Sequence, residues 1–374
     1  MRPHYNPGMP TMPRFPSILG LPLWSIATPL LAGSLLISGD LVPSEWPWLA
    51  AISIGLISAV MVAVFHAEVI AHRIGEPFGT LVLALAVTVI EVSLIVSMML
   101  SGSGAPSELA RDTVFATVMI ICNGVVGLCL LAGAMRHRII TFRVEGAGSA
   151  LSVLTALTTL TLVLPKFTTT TSEPTYSPSQ LAFAGLMSLI LYGVFVFVQT
   201  VRHREFFLPV TTDGDDEHPA IIGTAGALLS LGMLGIALLA VVGLAKKLSP
   251  VIQHAVEAAA APAAVVGVAI ALLVLLPETW AALRAALRNR MQTSLNLAHG
   301  SALATIGLTI PSVAVVSIYL KLPLVLGLPS KEIVLLFLTL LTSAITLAGG
   351  RATVLHGTVH LVIFAAFLFL AVVP

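Results

Sequence analysis

Charge is scarce in this chain. Of its 374 residues, 18 are Lys or Arg and 17 are Asp or Glu, together 9%, where a soluble domain carries about 25%. That scarcity excludes a water-solvated globular surface. A formal net charge of +1 excludes the basic face that a nucleic-acid partner requires. Cysteine is nearly missing as well. Cys122 and Cys129 are the only two, and at seven apart in one helix they are out of reach of a disulfide. No Gly-rich stretch ends in Gly-Lys-Ser/Thr, so there is no phosphate loop.

In place of charge there are apolar runs, and hydrophobic residues make up 57% of the chain. A membrane-crossing helix needs about 20 of them. Such runs fall at 18–38, 47–68, 78–100, 112–134, 147–165, 180–200, 220–245, 263–287, 291–318, 332–349 and 353–373. Lipid offers no partner for an unpaired backbone group, so each run is expected to be helical. The expectation is an all-α polytopic membrane protein with about eleven transmembrane helices.

Basic residues set the orientation. With the N-terminus inside, Arg2, Arg14, Arg73, Arg136, Arg138, Arg143, Arg202, Arg204, Arg284, Arg288, Arg290 and Arg351 are cytoplasmic. Arg111, Lys166, Lys246, Lys247, Lys321 and Lys331 are outside. Twelve against six follows the positive-inside rule. It places the protein in the cell (inner) membrane with a cytoplasmic N-terminus.

The longest polar interruption is VRHREFFLPVTTDGDDEHPA, from Val201 to Ala220. It divides the chain into a tail (1–17), a first helix (18–38), five spans (47–200), an acidic cytoplasmic linker (201–219) and five more spans (220–374). Five spans per half means that the halves insert in opposite senses, as in the inverted repeats of many secondary transporters.

Each half carries one deep acid. Glu91 lies within VTVIEVSLIV and Glu278 within LLVLLPETWAAL, in matching spans. Glu68, Glu76, Glu257 and Glu332 lie at or near span ends. An ionisable side chain at the centre of a bilayer costs roughly 2.5–3.5 kcal/mol on insertion scales and is a functional site by default. The two spans run antiparallel, so both glutamates can meet at the midplane. Pro277 cannot donate to the carbonyl of Leu273, which makes that oxygen available to a cation. Thr88, Thr117 and Asn123 in the first half, and Asn296, His299, Ser301 and Thr305 in the second, are further polar candidates. Ser/His pairs, acidic dyads and HExxH motifs do not accompany the glutamates, so the reading is a carrier rather than an enzyme.

AHRIGEPFGTLVLALAVTVIEVSLI, RDTVFATVMIICNGVVGLCLLAG, PETWAALRAALRNRMQTSLNLAHGSALATIGLTIP and GRATVLHGTVHLVIF span much of the chain. In them the sequence resembles the calcium/proton antiporters of the cation/calcium exchanger superfamily, the bacterial ChaA type above all. The resemblance implies eleven helices, two inverted alpha-repeats, and Glu91 and Glu278 as the shared cation (metal) and proton site. It implies no enzymatic activity and no cofactor beyond the transported ions. Ca2+/H+ exchange is expected, with Na+ and K+ as further substrates. Thr88 and Leu275 stand where many family members have the asparagine of a Gly-Asn-Ala-x-Glu pattern. Partners are inorganic cations, protons and the bilayer, and a homo-oligomer is compatible with the sequence.

Four features have a bland reading beside a functional one. His66, Glu68 and His72 are an interfacial group or an ion relay; His299 is a bonded core histidine or a proton-sensing partner of the site. His356 and His360 share a helix face as packing or as metal ligands. Asp213–His218 is a solvated linker or a weak cation sensor.

Overall fold

In the computed structural model of the chain the apolar runs are helices. The structure describes residues 17–38, 46–75, 78–101, 108–171, 174–208, 222–258, 262, 264–321 and 324–373. The first half comprises α1 (Leu23–Ser38), α2 (Trp46–Ile74), α3 (Phe78–Ser101), α4 (Leu109–Met119) with α5 (Val126–His137), α6 (Val144–Thr158) and α7 (Pro178–Phe197). The second comprises α8 (Thr224–Ala258), α9 (Ala264–Val274) with α10 (Leu276–Leu287), α11 (Met291–Ala304) with α12 (Ile310–Leu320), α13 (Ser330–Ala348) and α14 (Val354–Val372). A π-helical segment, Ile120–Val125, joins α4 to α5, and another, Thr305–Thr309, joins α11 to α12. Among the described residues, eight segments are long and apolar enough to cross a membrane. The shorter α1, together with α3 and the broken α9–α10, completes an all-α polytopic membrane protein of eleven segments.

Three boundaries differ from the apolar runs. Residues ahead of α1 form a tight hairpin, with Ser17–Ile18 paired to Leu21–Pro22. α8 continues to Ala258, past the apolar run ending at 245, because helical backbone bonding does not depend on side-chain polarity. The run 263–287 is broken at Leu275, and α10 begins with Pro277 in its first turn. Proline is pre-organised for a helix start and cannot extend the preceding hydrogen-bond ladder. The acidic stretch Asp213–His218 and the N-terminal tail to residue 16 lie outside the described residues.

Short contacts fix which ends lie together. Ile140–Thr141 pairs antiparallel with Arg351–Ala352. His137 Nε2 is 3.0 Å from the carbonyl of Leu287, and Arg73 donates to Thr224 at 3.1 Å. These gather the turns after α2, α5, α10 and α13, and the start of α8, at one end. At the other end Thr175 bridges Val325, and Leu328 N–H donates to the Leu162 carbonyl at 2.9 Å. α3 therefore leaves the first end and α9–α10 runs toward it, so the two glutamate helices are antiparallel.

The buried apolar residues form two clusters. One holds Ile52, Ala59, Val60, Ala63 and Leu244 with other residues of α1, α2 and α8. The other is built on α4–α7 and α10–α14. Among the described residues, only α3 and α9 divide their buried residues between the two: Ile90 and Val274 belong to the first, Ile95 and Ala271 to the second. Both glutamate-bearing spans thus lie along the seam between two packed bodies. Close packing within the larger body depends on small residues. A Cβ on Gly357 would come within 2.5 Å of the Leu131 backbone nitrogen, and one on Gly307 within 2.5 Å of the Tyr192 Cβ.

Candidate functional site

Glu91 is 2% exposed on α3. The Thr309 hydroxyl donates to its Oε2 at 2.8 Å, and Thr305 also hydrogen-bonds the carboxylate. Both threonines belong to the π-helical segment Thr305–Thr309 of the second half. π-Bulges recur at functional sites because they re-aim side chains within an otherwise regular helix. Here the bulge points two hydroxyls at one carboxylate.

Glu278 lies in the first turn of α10, just past the break. The N-terminus of a half-helix favours a negative charge there. Its own backbone N–H bonds the carboxylate. Its Oε2 is buried with no hydrogen-bond partner, and a buried acceptor left so is costly unless something fills it. Glu91 and Glu68 both act on Glu278 electrostatically, so ionised together they repel.

A cavity of about 650 Å³ leads toward this point from the end where α10 meets α11. Glu68, Pro277, Trp280, Arg284, Arg288 and Arg290 help to line it. Arg284 lies over the Trp280 ring, 5.5 Å from its centroid. The cavity lining thus combines charged side chains with Pro277, the residue beside Glu278.

The remaining candidates separate into those near the glutamates and those that are not. Thr88 is buried on α3, one turn before Glu91. Leu273 is the next-to-last residue of α9, and Pro277 lacks the N–H that would ordinarily pair with its carbonyl. Asn123 is not brought to either glutamate. Its amide donates to Thr339 at 2.9 Å, and its Oδ1 accepts from His360 Nδ1 at 3.3 Å, because the π-helical segment Ile120–Val125 turns it toward α13 and α14. Ser301 is half-buried, with no hydrogen bond to either glutamate among the described contacts. His299 is 2% exposed, with no hydrogen bond to either glutamate among the described contacts. Asn296 donates to the Phe207 carbonyl at 2.6 Å and braces the end of the bundle.

His66, His356 and His360 each make hydrogen bonds within the helix framework. His66 Nε2 donates to the Ser25 carbonyl at 2.8 Å, which leaves Nδ1 to accept from Ser230 at 2.7 Å. It ties α1, α2 and α8 together. His356 closes a capping box with Thr353 at the start of α14. His360 Nε2 accepts from Thr346 at 3.1 Å. Glu68 stands apart from His66, exposed in the large cavity. Thr309 is the contact that the sequence reading does not single out. Its one readable sign is Pro311, two residues on, which cannot donate to the Gly307 carbonyl and so marks a fault in the helix.

Comparison with known proteins identifies the family. The sequence pattern of the sodium/calcium exchanger protein family matches residues 44–201 and 229–373, the two halves on either side of the linker. The chain belongs to the sodium/calcium exchanger family. The exchanger is 48% identical over 364 residues to the putative ionic transporter y4hA of Sinorhizobium fredii, covering 95% of this chain and 97% of that protein. It is 36% identical over 318 residues to the sodium-potassium/proton antiporter ChaA of Escherichia coli, covering 84% and 86%. Native YfkE shares its fold, with a TM-score of 0.71 at 16% identity over 94% of this chain and all of that one. So does an H+/Ca2+ exchanger, CAX, with a TM-score of 0.71 at 16% identity over 93% and 88%. The exchanger is thus a multi-pass membrane antiporter of cations, not an enzyme, and the resemblance to ChaA-type members of the superfamily stands.

Proposed function

We propose that the exchanger moves Ca2+ against H+ by alternating access at a site shared by Glu91 and Glu278, with Na+ and K+ competing for it. The observation that carries this reading is that two carboxylates, each with a buried oxygen, act on one another electrostatically from antiparallel helices along the seam between two packed bodies. A carboxylate buried in lipid is stable when protonated or when paired with a cation. Two such groups match a divalent charge. If only the loaded states cross, proton and cation fluxes are coupled, and relative motion of the two bodies exposes the site to each side in turn.

Calcium takes six to eight oxygens at about 2.3–2.6 Å. Two glutamates supply at most four. The hydroxyls of Thr305, Thr309 and Thr88, the Leu273 carbonyl and water would complete the shell. Asn123 and Ser301 stand outside it, and His299 serves as a relay. The large cavity is the cytoplasmic approach, and its arginine-rich lining agrees with the positive-inside rule. On this orientation the N-terminus is cytoplasmic and the protein sits in the inner membrane.

A second reading, a Na+(K+)/H+ antiporter with little calcium activity, is favoured by Thr88 and Leu275 in place of the family asparagines. The 36% identical relative is named for sodium, potassium and protons. Proteoliposomes with an imposed pH gradient distinguish the two. Saturable proton release on adding Ca2+, stronger at pH 8.5 than at pH 7, is expected. Release with Na+ or K+ and none with Ca2+ at either pH would replace the first reading with the second.

A further inference from the structure

A second group of buried charges lies at the end of the molecule opposite the large cavity. Asp112 and Glu332 fall in the first turns of α4 and α13. They are 6% and 8% exposed, and both line a small cavity of about 40 Å³. Asp112 Oδ1 accepts from Arg111 Nε at 2.8 Å, and Arg111 also reaches Glu108 at 3.0 Å. Glu332 differs: its Oε2 is buried and has no hydrogen-bond partner. Lys331, beside it, donates to the Leu370 carbonyl at 2.9 Å.

Three carboxylates (Glu108, Asp112, Glu332) thus face two cationic side chains (Arg111, Lys331), all five coupled electrostatically. When all are ionised the acids outnumber the cations by one, and the acidic oxygen that lacks a partner is Glu332 Oε2. The space is of the right order for one ion with a water or two, since a water needs roughly 10–15 Å³. Phe115, Leu335 and Phe367 make much of the wall apolar, so the six to eight oxygens of a calcium shell are not on offer. The floor is shared with α9, through Val268. α9 leads directly to the Glu278 break.

We propose that Asp112 and Glu332 form a second cation site, for one partly hydrated alkali-metal ion, at the opposite mouth of the exchanger from the large cavity. The site is separate from Glu91 and Glu278 and does not depend on their assignment. An ion held there waits beside α9, which leads to the break before Glu278.

The test uses purified exchanger in detergent, with ²²Na+ binding and melting temperature as readouts. In the Glu91→Gln/Glu278→Gln double variant, about one Na+ per chain is expected to remain bound, and Na+ is expected to raise the melting temperature. Adding Glu332→Gln should remove both effects, while Glu332→Asp should keep part of the binding. Ala371→Leu fills the cavity without touching a charge and is expected to lose the ion too, which guards against misfolding of the glutamine variant. Undiminished ²²Na+ binding after Glu332→Gln, or none in the double variant, overturns the proposal.

Discussion

Thr309 and Glu91 are 218 residues apart in sequence, yet the Thr309 hydroxyl donates to the Glu91 carboxylate at 2.8 Å. The bond crosses between the two halves of the exchanger. It joins the π-bulge of one to the buried acid of the other.

That bond is worth testing alone. Thr309→Val keeps the shape and removes the hydroxyl. A hydrogen bond to a charged group contributes about 1.5–3 kcal/mol, so cation affinity is expected to fall roughly tenfold to a hundredfold. Thr309→Ser should retain most of it. The measurement is the cation dependence of proton release in inside-out vesicles, and equal affinity in the valine variant would remove Thr309 from the ion shell.

Glu91→Gln and Glu278→Gln are each expected to abolish exchange while leaving folded protein in the membrane. Glutamine keeps the volume but neither titrates nor balances a cation. The sign of the pH effect in the unaltered protein follows from the same competition. Protons and cations contend for two carboxylates, so apparent cation affinity rises with pH, and it should stop doing so in any variant that retains residual binding. Near-normal flux from Glu91→Gln would refute the two-glutamate site.

Gly307 controls the bulge through packing. A methyl there meets Tyr192 Cβ at 2.5 Å, so Gly307→Ala must push the Thr305–Thr309 segment away from α7. The expected result is transport reduced severalfold at unchanged expression, because the hydroxyls lose their aim on Glu91. Tyr192→Gly in the same chain removes that Cβ and should recover part of the loss. If the double variant is no better than Gly307→Ala, the effect does not run through that contact.

Orientation can be read with an impermeant thiol reagent in intact cells. In a chain with Cys122 and Cys129 replaced, a cysteine near Pro374 should be labelled and one at Asp215 should not. The reverse pattern would place the large cavity outside.

The spans and the two acids were legible in the sequence for one physical reason. Lipid penalises both unpaired backbone and buried charge, so apolar length marks a helix, and Glu91 and Glu278 stand out against 57% hydrophobic residues. Pro277 likewise marked the Leu273 carbonyl as unpaired, since a missing N–H is a local fact, whereas the break at Leu275 came only with the structure. The partners of those acids were not legible. A hydroxyl in a helix can satisfy itself on the carbonyl four residues back, as Thr158 does on Leu154 at 2.8 Å, so the residue type alone does not say which threonine turns outward. Asn123 carried the stronger sequence signal and faces Thr339 and His360; Thr309 carried almost none and touches Glu91. Glu332 read as a residue at a span end, and the packing of α4, α9, α13 and α14 around it buried its carboxylate. Sequence determined where charge is costly; the tertiary structure decided what each costly group meets, because those contacts depend on the register of π-bulges and on helices hundreds of residues apart.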